Sequence, residues 1–200
     1  MSVPRILVAG IGNVFLGDDA FGVEVVRRLA MRAAPEGVCV ADFGIRGLDL
    51  AYALLDDWEA VILVDAVPRG QPPGTLYVLE PEAAPADDDV QAEANLVEAH
   101  GMNPMKVLRL ARSMGARPQR MLLVGCEPAP LDAEDMSMEI SEPVRAVIDD
   151  AVKLVESLIV RVRNQNSQTA DSVGGATVLK GDSPCRQQEP SAPTRSPSMS

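Results

Sequence analysis

Aromatic residues are scarce in this chain. Phe, Trp and Tyr together make up 3% of its 200 residues, although the hydrophobic content is 46%. The core must therefore be built mainly from Val, Leu, Ile, Ala and Met. A chain of this length and hydrophobicity can bury a complete core within one domain.

An excess of basic residues is also missing. The formal net charge is -11 and the sequence pI is near 4.5, so nucleic acids and anionic membrane surfaces would repel the chain. No apolar run approaches the roughly 18 residues of a membrane-spanning helix, and the first residues lack the pattern of a secretory signal. We therefore expect a cytoplasmic monomer whose partner is a protein or a small molecule, with no binding to nucleic acid or membrane.

Cysteine and histidine, the usual ligands of structural zinc, are rare. Cys39, Cys126 and Cys185 lie far apart and form no C-x-x-C pair, and His100 is the single histidine. The sequence therefore predicts neither a zinc site nor a disulfide framework. All three cysteines are expected to be free thiols.

Short runs rich in Val, Ile and Leu alternate with helical patterns along the first part of the chain. This alternation is typical of an α/β fold in which helices cover both faces of a mostly parallel sheet. The link VPRGQPPG is too short and too rich in Pro and Gly for a crossover helix, so the strand after it should run antiparallel to its predecessor. We predict a single three-layer domain with a mixed, mostly parallel five-stranded sheet, whose strands lie near residues 5–9, 38–43, 60–65, 74–79 and 120–125.

Helices are predicted between and after these strands. Apolar residues at helical spacing mark the first, from Phe21 to Leu29, and the second is expected over residues 47–56. Capping residues mark the ends of two later helices. These are Asn103 followed by Pro104, Gly115, and Ser141.

The composition changes near residue 163. Residues 164–200 are rich in Ser, Pro, Gln, Thr and Gly and show no apolar periodicity. Such a segment cannot bury enough surface to offset the entropy lost on ordering. We predict a globular domain over residues 1–163 and a disordered tail over residues 164–200.

The first predicted strand ends in a glycine-rich turn. Gly10 and Gly12 form a G-x-G pair, but Phe15 stands where a dinucleotide fingerprint has its third glycine, so a nucleotide site is not predicted. Asp19 and Asp65 follow or end predicted strands. Ligands of open α/β sheets bind beyond the carboxyl ends of the strands, and these two carboxylates are expected to meet there.

Three residues near this edge are predicted to have structural roles. Asp18 should be the N-cap of the helix that follows it. Asn13 should fix the glycine-rich turn through hydrogen bonds of its side chain, and Gly44 should supply backbone freedom near the mouth of the cleft.

Four sequence blocks occur in order along the chain, namely GIGNVFLGDDAFG, VILVDAV, EAHGMNPMKVL and LLVGCEP. Together they resemble the NiFe-hydrogenase maturation endopeptidases, which remove a C-terminal extension from the hydrogenase large subunit after nickel insertion. The resemblance extends from about Arg5 to about Val160 and excludes the predicted tail. It implies that the partner is the large-subunit precursor of a NiFe hydrogenase.

The resemblance also implies a set of site residues. In the family, an acidic residue after the Gly-Asn turn, an aspartate at the end of a central strand and a histidine before a helix recognise a metal. The matching positions are Asp19, Asp65 and His100. Two carboxylates and one imidazole can bind a borderline divalent ion while leaving coordination positions for ligands from a partner. No tightly bound cofactor is therefore expected, and nickel is presented by the substrate.

The chemistry of cleavage stays open at this point. Asp19 or Asp65 can be the catalytic carboxylate that activates water while nickel polarises the carbonyl, or the three residues only recognise nickel and position the substrate. A nucleophilic pair of Cys126 and His100 is disfavoured, because the family does not require a cysteine there. A protein of the same fold that checks nickel insertion without cleaving would carry a similar sequence.

Overall fold

The computed structural model describes residue 3 and residues 5–80, 104–130 and 138–170. Within these ranges the strands are β1 (Ile6–Ile11), β2 (Val38–Gly44), β3 (Ala60–Ala66), β4 (Leu76–Leu79) and β5 (Arg120–Cys126). The helices are a 3-10 helix (Gly17–Ala20), α1 (Phe21–Ala30), α2 (Gly47–Ala53), α3 (Pro104–Ser113) and α4 (Glu142–Ala170). Every predicted strand is present.

The strands form one sheet in the order β2-β1-β3-β5-β4. The neighbours β2, β1, β3 and β5 run parallel, and β4 pairs antiparallel with β5. The mixed, mostly parallel five-stranded sheet is therefore confirmed, as is the reversed direction of the strand after the Pro-Gly link. This strand, β4, pairs with β5 and not with its predecessor β3, because β5 lies between β3 and β4 in the sheet.

Helices cover both faces of the sheet, as predicted. Side chains at alternate positions of a strand point to opposite faces. Ile6 and Val8 of β1 pack with α1 and α4, whereas Leu7, Ala9 and Ile11 pack with α2 and α3. None of the helices in the described part of the chain combines the length and hydropathy that crossing a lipid bilayer requires.

Some boundaries differ from those predicted. The second helix ends at Ala53 and not at residue 56, and α4 continues through residue 163 to Ala170. Gly115 follows α3 with a φ of 106°, which is the left-handed conformation expected of a helix-ending glycine. The predicted N-cap Asn103 and residues 171–200 of the predicted tail lie outside the described residues.

The cysteines follow the prediction only in part. Cys126 is a buried free thiol, but Cys39 is disulfide-bonded, so the prediction of free thiols was wrong for that residue. It relied on separation along the sequence, and that separation does not limit how closely two thiols approach in a folded chain.

Candidate active site

The two predicted carboxylates lie at the same edge of the sheet. Strands β1, β3 and β5 are neighbours and parallel, so their carboxyl ends meet. Asp65 is the penultimate residue of β3, and Asp19 lies in the 3-10 helix that follows β1 and packs against β3. The topology therefore brings together two residues that are far apart in sequence, at the edge where open α/β sheets bind their ligands.

The Asp19 carboxylate is held by the turn that precedes it. Its Oδ2 accepts a hydrogen bond from the backbone N–H of Asn13 at 2.6 Å. The side-chain oxygen of Asn13 accepts one from the N–H of Phe15 at 3.0 Å, which confirms the predicted role of Asn13. Within the described part of the chain, Oδ1 of Asp19 accepts no hydrogen bond. One oxygen thus orients the side chain and the other stays available to a ligand.

Glycine is required where this turn passes Asp19. Gly12 has a φ of 127°, and a Cβ at this position would lie 1.7 Å from the carbonyl oxygen of Asp19. Its N–H donates to the carbonyl oxygen of Gly44 at 3.1 Å. Gly44 has a φ of 52°, in agreement with the predicted need for backbone freedom there. The Gly-Asn turn therefore places the Asp19 carboxylate by close backbone contact.

Asp65 is a buried carboxyl, with 4% of its surface exposed. Burial, with the negative charge of Asp19 as a second cause, raises the pKa of Asp65 to about 8, while the backbone N–H of Ala66 acts in the opposite direction. The effect of Asp19 on this pKa means that the two carboxyls repel each other when both are charged. A divalent cation next to both would remove that repulsion.

A complete set of metal ligands is not visible in the described ranges. No group of three His, Cys, Asp or Glu side chains is arranged there to hold a metal ion. The third predicted ligand, His100, lies outside the described residues. The structure therefore brings Asp19 and Asp65 together and leaves the position of His100 as a prediction.

Asp18 is not the N-cap that its position suggested. Its Oδ1 accepts a hydrogen bond from the N–H of Ser141 at 2.6 Å, and its Oδ2 accepts from the Ser141 hydroxyl and from the N–H of Ala129, both at 2.8 Å. No side-chain cap hydrogen bond forms at the start of the 3-10 helix or of α1. The prediction was wrong because the donors lie after β5 and before α4. Asp18 ties the turn that carries Asp19 to both elements.

We expect the Asp18→Asn substitution to destabilise the protein. It replaces one acceptor oxygen with an NH2 group, which would face an N–H donor, and the expected loss is about 1–3 kcal/mol in the free energy of unfolding. Asp150→Asn removes an exposed carboxylate from α4 and is expected to change that free energy by less than about 0.5 kcal/mol. Urea denaturation of both variants measures the difference. Equal stability of the two variants would contradict the structural role of Asp18.

Sequence reasoning missed the buried carboxylate Glu127. It accepts hydrogen bonds from the N–H of Arg69 at 2.9 and 2.7 Å and from the N–H of Gly70 at 2.9 Å. The hydroxyl of Tyr77 donates to the carbonyl of Val67 in the same loop. These contacts anchor the loop that follows Asp65. The signal in the sequence was an acidic residue directly after the apolar strand β5, next to Cys126 in the block LLVGCEP.

Cys126 does not have the properties of a nucleophile. Burial raises the pKa of its thiol to about 12, and the charges of Asp18 and Glu127 act in the same direction. The thiolate is the reactive form of cysteine, so the group is inert near neutral pH. This supports the view that Cys126 is a small buried side chain at the end of β5.

Comparison with known proteins identifies the family. A family model described as hydrogenase maturation protease matches residues 23–158. The chain belongs to this family. Over 151 residues it is 40% identical to the hydrogenase expression/formation protein HupD of Rhodobacter capsulatus, a match that covers 74% of this chain and 68% of that protein.

Solved structures of hydrogenase maturation peptidases share the fold. The hydrogenase maturating endopeptidase HybD of E. coli matches with a TM-score of 0.61 and 29% identity, over 78% of this chain and 93% of HybD. The hydrogenase 2 maturation peptidase of a Thaumarchaeota archaeon matches with a TM-score of 0.58 and 37% identity, over 78% of this chain and 97% of that one. This hydrogenase maturation protease is therefore an α/β endopeptidase, and the resemblance of its sequence blocks is confirmed.

Proposed function

We propose that this hydrogenase maturation protease removes a C-terminal extension from the large-subunit precursor of a NiFe hydrogenase after nickel has been inserted. The nickel bound in the precursor is the feature that Asp19, Asp65 and His100 recognise. The observation that supports this most directly is the pairing of Asp19 and Asp65 at the carboxyl edge of the sheet. The Asp65 pKa responds to the charge of Asp19, and Asp19 keeps one carboxylate oxygen free of hydrogen bonds within the described residues.

The ligand set suits a metal that arrives with the substrate. Carboxylate and imidazole groups bind borderline divalent ions, and three such ligands leave the coordination shell open. The remaining positions would be filled by ligands of the precursor. The protease then binds nickel tightly only when the precursor presents it, and it needs no resident metal.

Two routes to cleavage are compatible with this arrangement. In the first, Asp19 or Asp65 accepts a proton from water as it attacks the scissile carbonyl, which the substrate's nickel polarises. In the second, the carboxylates bind only the nickel, and the resulting position of the precursor exposes the scissile bond. The two routes predict different cleavage rates when Asp19 or Asp65 is replaced by Asn. An amide oxygen remains a weak metal ligand, but an amide cannot act as a base.

The test compares nickel-loaded and nickel-free precursor. Purified large-subunit precursor in each form is incubated with the protease, and mass spectrometry follows loss of the C-terminal extension. We expect a mass shift only for the nickel-loaded form, because the nickel-free form offers nothing for the carboxylates to bind. Efficient cleavage of nickel-free precursor would contradict the proposal. Binding of nickel-loaded precursor without any mass shift would instead identify a protein that checks nickel insertion.

A further inference from the structure

Helix α2 carries apolar residues on its exposed side as well as on its buried side. Leu50 and Ala51 are buried on the side that faces the core. A surface helix normally presents polar side chains to solvent, but the exposed side of α2 carries large apolar residues beside the charged Asp49. Its exposed apolar residues follow a helical spacing of three, four and three positions, from two residues before the helix to two residues after it, namely Ile45, Leu48, Tyr52 and Leu55.

The turn before Asp19 also exposes large apolar side chains. Phe15 is 65% exposed and Leu16 is 53% exposed. The hydrogen bond from Gly12 N–H to the Gly44 carbonyl joins the start of this turn to the start of the α2 segment. The two segments therefore leave the sheet at the same point of its carboxyl edge. We call the six exposed side chains the α2 surface: Phe15, Leu16, Ile45, Leu48, Tyr52 and Leu55.

The α2 surface is neutral within an acidic protein. Residues 10–17 carry no charged side chain, and residues 43–55 carry only Arg46 and Asp49, which lie 3.9 Å apart. The formal charge of -11 therefore resides elsewhere in the chain. A group of exposed large apolar side chains without net charge is typical of a protein interaction site. It suits a partner that approaches with an apolar, uncharged face.

We propose that the α2 surface is the docking site for the nickel-loaded large-subunit precursor, which contacts it with an apolar region next to its nickel. This inference rests on the proposed function. Phe15 and Leu16 lie on the turn whose Asn13 N–H orients the Asp19 carboxylate. A precursor that brings nickel to Asp19 therefore meets these side chains on arrival. Removing apolar surface from water favours the association.

The test is a triple variant, Phe15→Ser, Leu48→Ser and Tyr52→Ser. These side chains are exposed, so the thermal unfolding midpoint should stay unchanged. The initial rate of cleavage at low concentrations of nickel-loaded precursor should fall by about tenfold or more. Raising the precursor concentration should recover the rate, because the change weakens binding and leaves Asp19 and Asp65 in place.

A matched control removes exposed apolar side chains elsewhere. Met31, which follows α1, is 85% exposed, and Val160 of α4 is 56% exposed. Helix α1 leads away from the carboxyl edge, so its last turn lies toward the opposite edge of the sheet. The double variant Met31→Ser and Val160→Ser should therefore cleave at the rate of the unaltered protein. An equal loss of rate in the control would overturn the assignment of docking to the α2 surface.

Three other results would overturn it as well. The triple variant could cleave at the unaltered rate at low precursor concentration. It could lose thermal stability, which would mean that the chain covers this surface itself. Light scattering could show that the unaltered protein is a dimer and the triple variant a monomer. That result would assign the surface to contact with a second copy of the chain.

Failure of the proposed function gives a different pattern. The unaltered protein would then not cleave the precursor at all. Retention of purified nickel-loaded precursor on the immobilised protein still tests the docking site in that case. Loss of retention in the triple variant supports the α2 surface, and full retention overturns it.

Discussion

The Asp19→Ala substitution is expected to abolish processing of nickel-loaded precursor while the protein stays folded. The side chain makes one hydrogen bond within the described residues, to the N–H of Asn13, and it is only half-buried. Its removal therefore costs little stability, on the order of 1 kcal/mol. It deletes a carboxylate that is proposed to bind the substrate's nickel, so precursor cleavage should fall by at least about 100-fold. Asp65→Ala and His100→Ala should have the same effect on cleavage.

Amide variants of the same residues separate the two routes to cleavage. Asp19→Asn and Asp65→Asn keep an oxygen that can contact nickel but remove any capacity to accept a proton from water. Partial cleavage by both would favour recognition alone, and complete loss in one of them would identify the general base. Asp56→Ala, which removes a carboxylate paired with Arg5 beside the start of β1, is the control and should process normally. The readout is a gel shift of the precursor, with a thermal melt of each variant.

Normal cleavage by Asp19→Ala would refute the site assignment. The family model matches residues 23–158 and therefore does not include Asp19. The role of Asp19 is supported instead by the sequence motif and by the local geometry. A folded but inactive Asp19→Ala protein, together with an active Asp56→Ala protein, is the expected pattern. It would connect the Gly-Asn turn to the chemistry of processing.

The Gly22→Ala substitution is expected to cause a large loss of stability. A Cβ at this position would lie 2.1 Å from the carbonyl oxygen of Val64 and 2.4 Å from that of Ile11. Both oxygens belong to the backbone near the ends of β1 and β3. Pairing with the neighbouring strands holds this backbone in place, so it cannot move away from an added Cβ. Alanine is the better helix former by about 1 kcal/mol, but overpacking against backbone should reverse this. The expected net loss is about 3 kcal/mol or more in the free energy of unfolding.

Thermal and urea denaturation measure this loss, with Gly70→Ala as the control. Gly70 has a φ of 75° and no atom within 4 Å of the added Cβ, so its substitution reports backbone strain alone, on the order of 1 kcal/mol. A Gly22→Ala protein as stable as the unaltered one would contradict the close contact between α1 and the backbone of β1 and β3. Because α1 follows Asp19 directly, we also expect Gly22→Ala to slow precursor processing.

Local patterns in the sequence determined the secondary structure and the direction of the strands. Side-chain periodicity and link length act over a few residues, so the five strands and the reversal after VPRGQPPG were predictable. Asp19 and Asp65 were placed at one edge for the same reason, since the end of each strand could be located. The roles of Asn13 and Gly44 also followed from the local requirements of a tight turn.

Only the tertiary structure decided which distant groups meet. Asp18 was predicted to be a local cap, but its donors, Ala129 and Ser141, are 111 and 123 residues away. The anchoring of the loop after Asp65 by Glu127 spans 58 residues at Arg69. Likewise, the pairing of β4 with β5 depends on which strand occupies the place beside β3. Contacts of this kind require elements to be packed before their groups can meet, and no short stretch of sequence contains both partners.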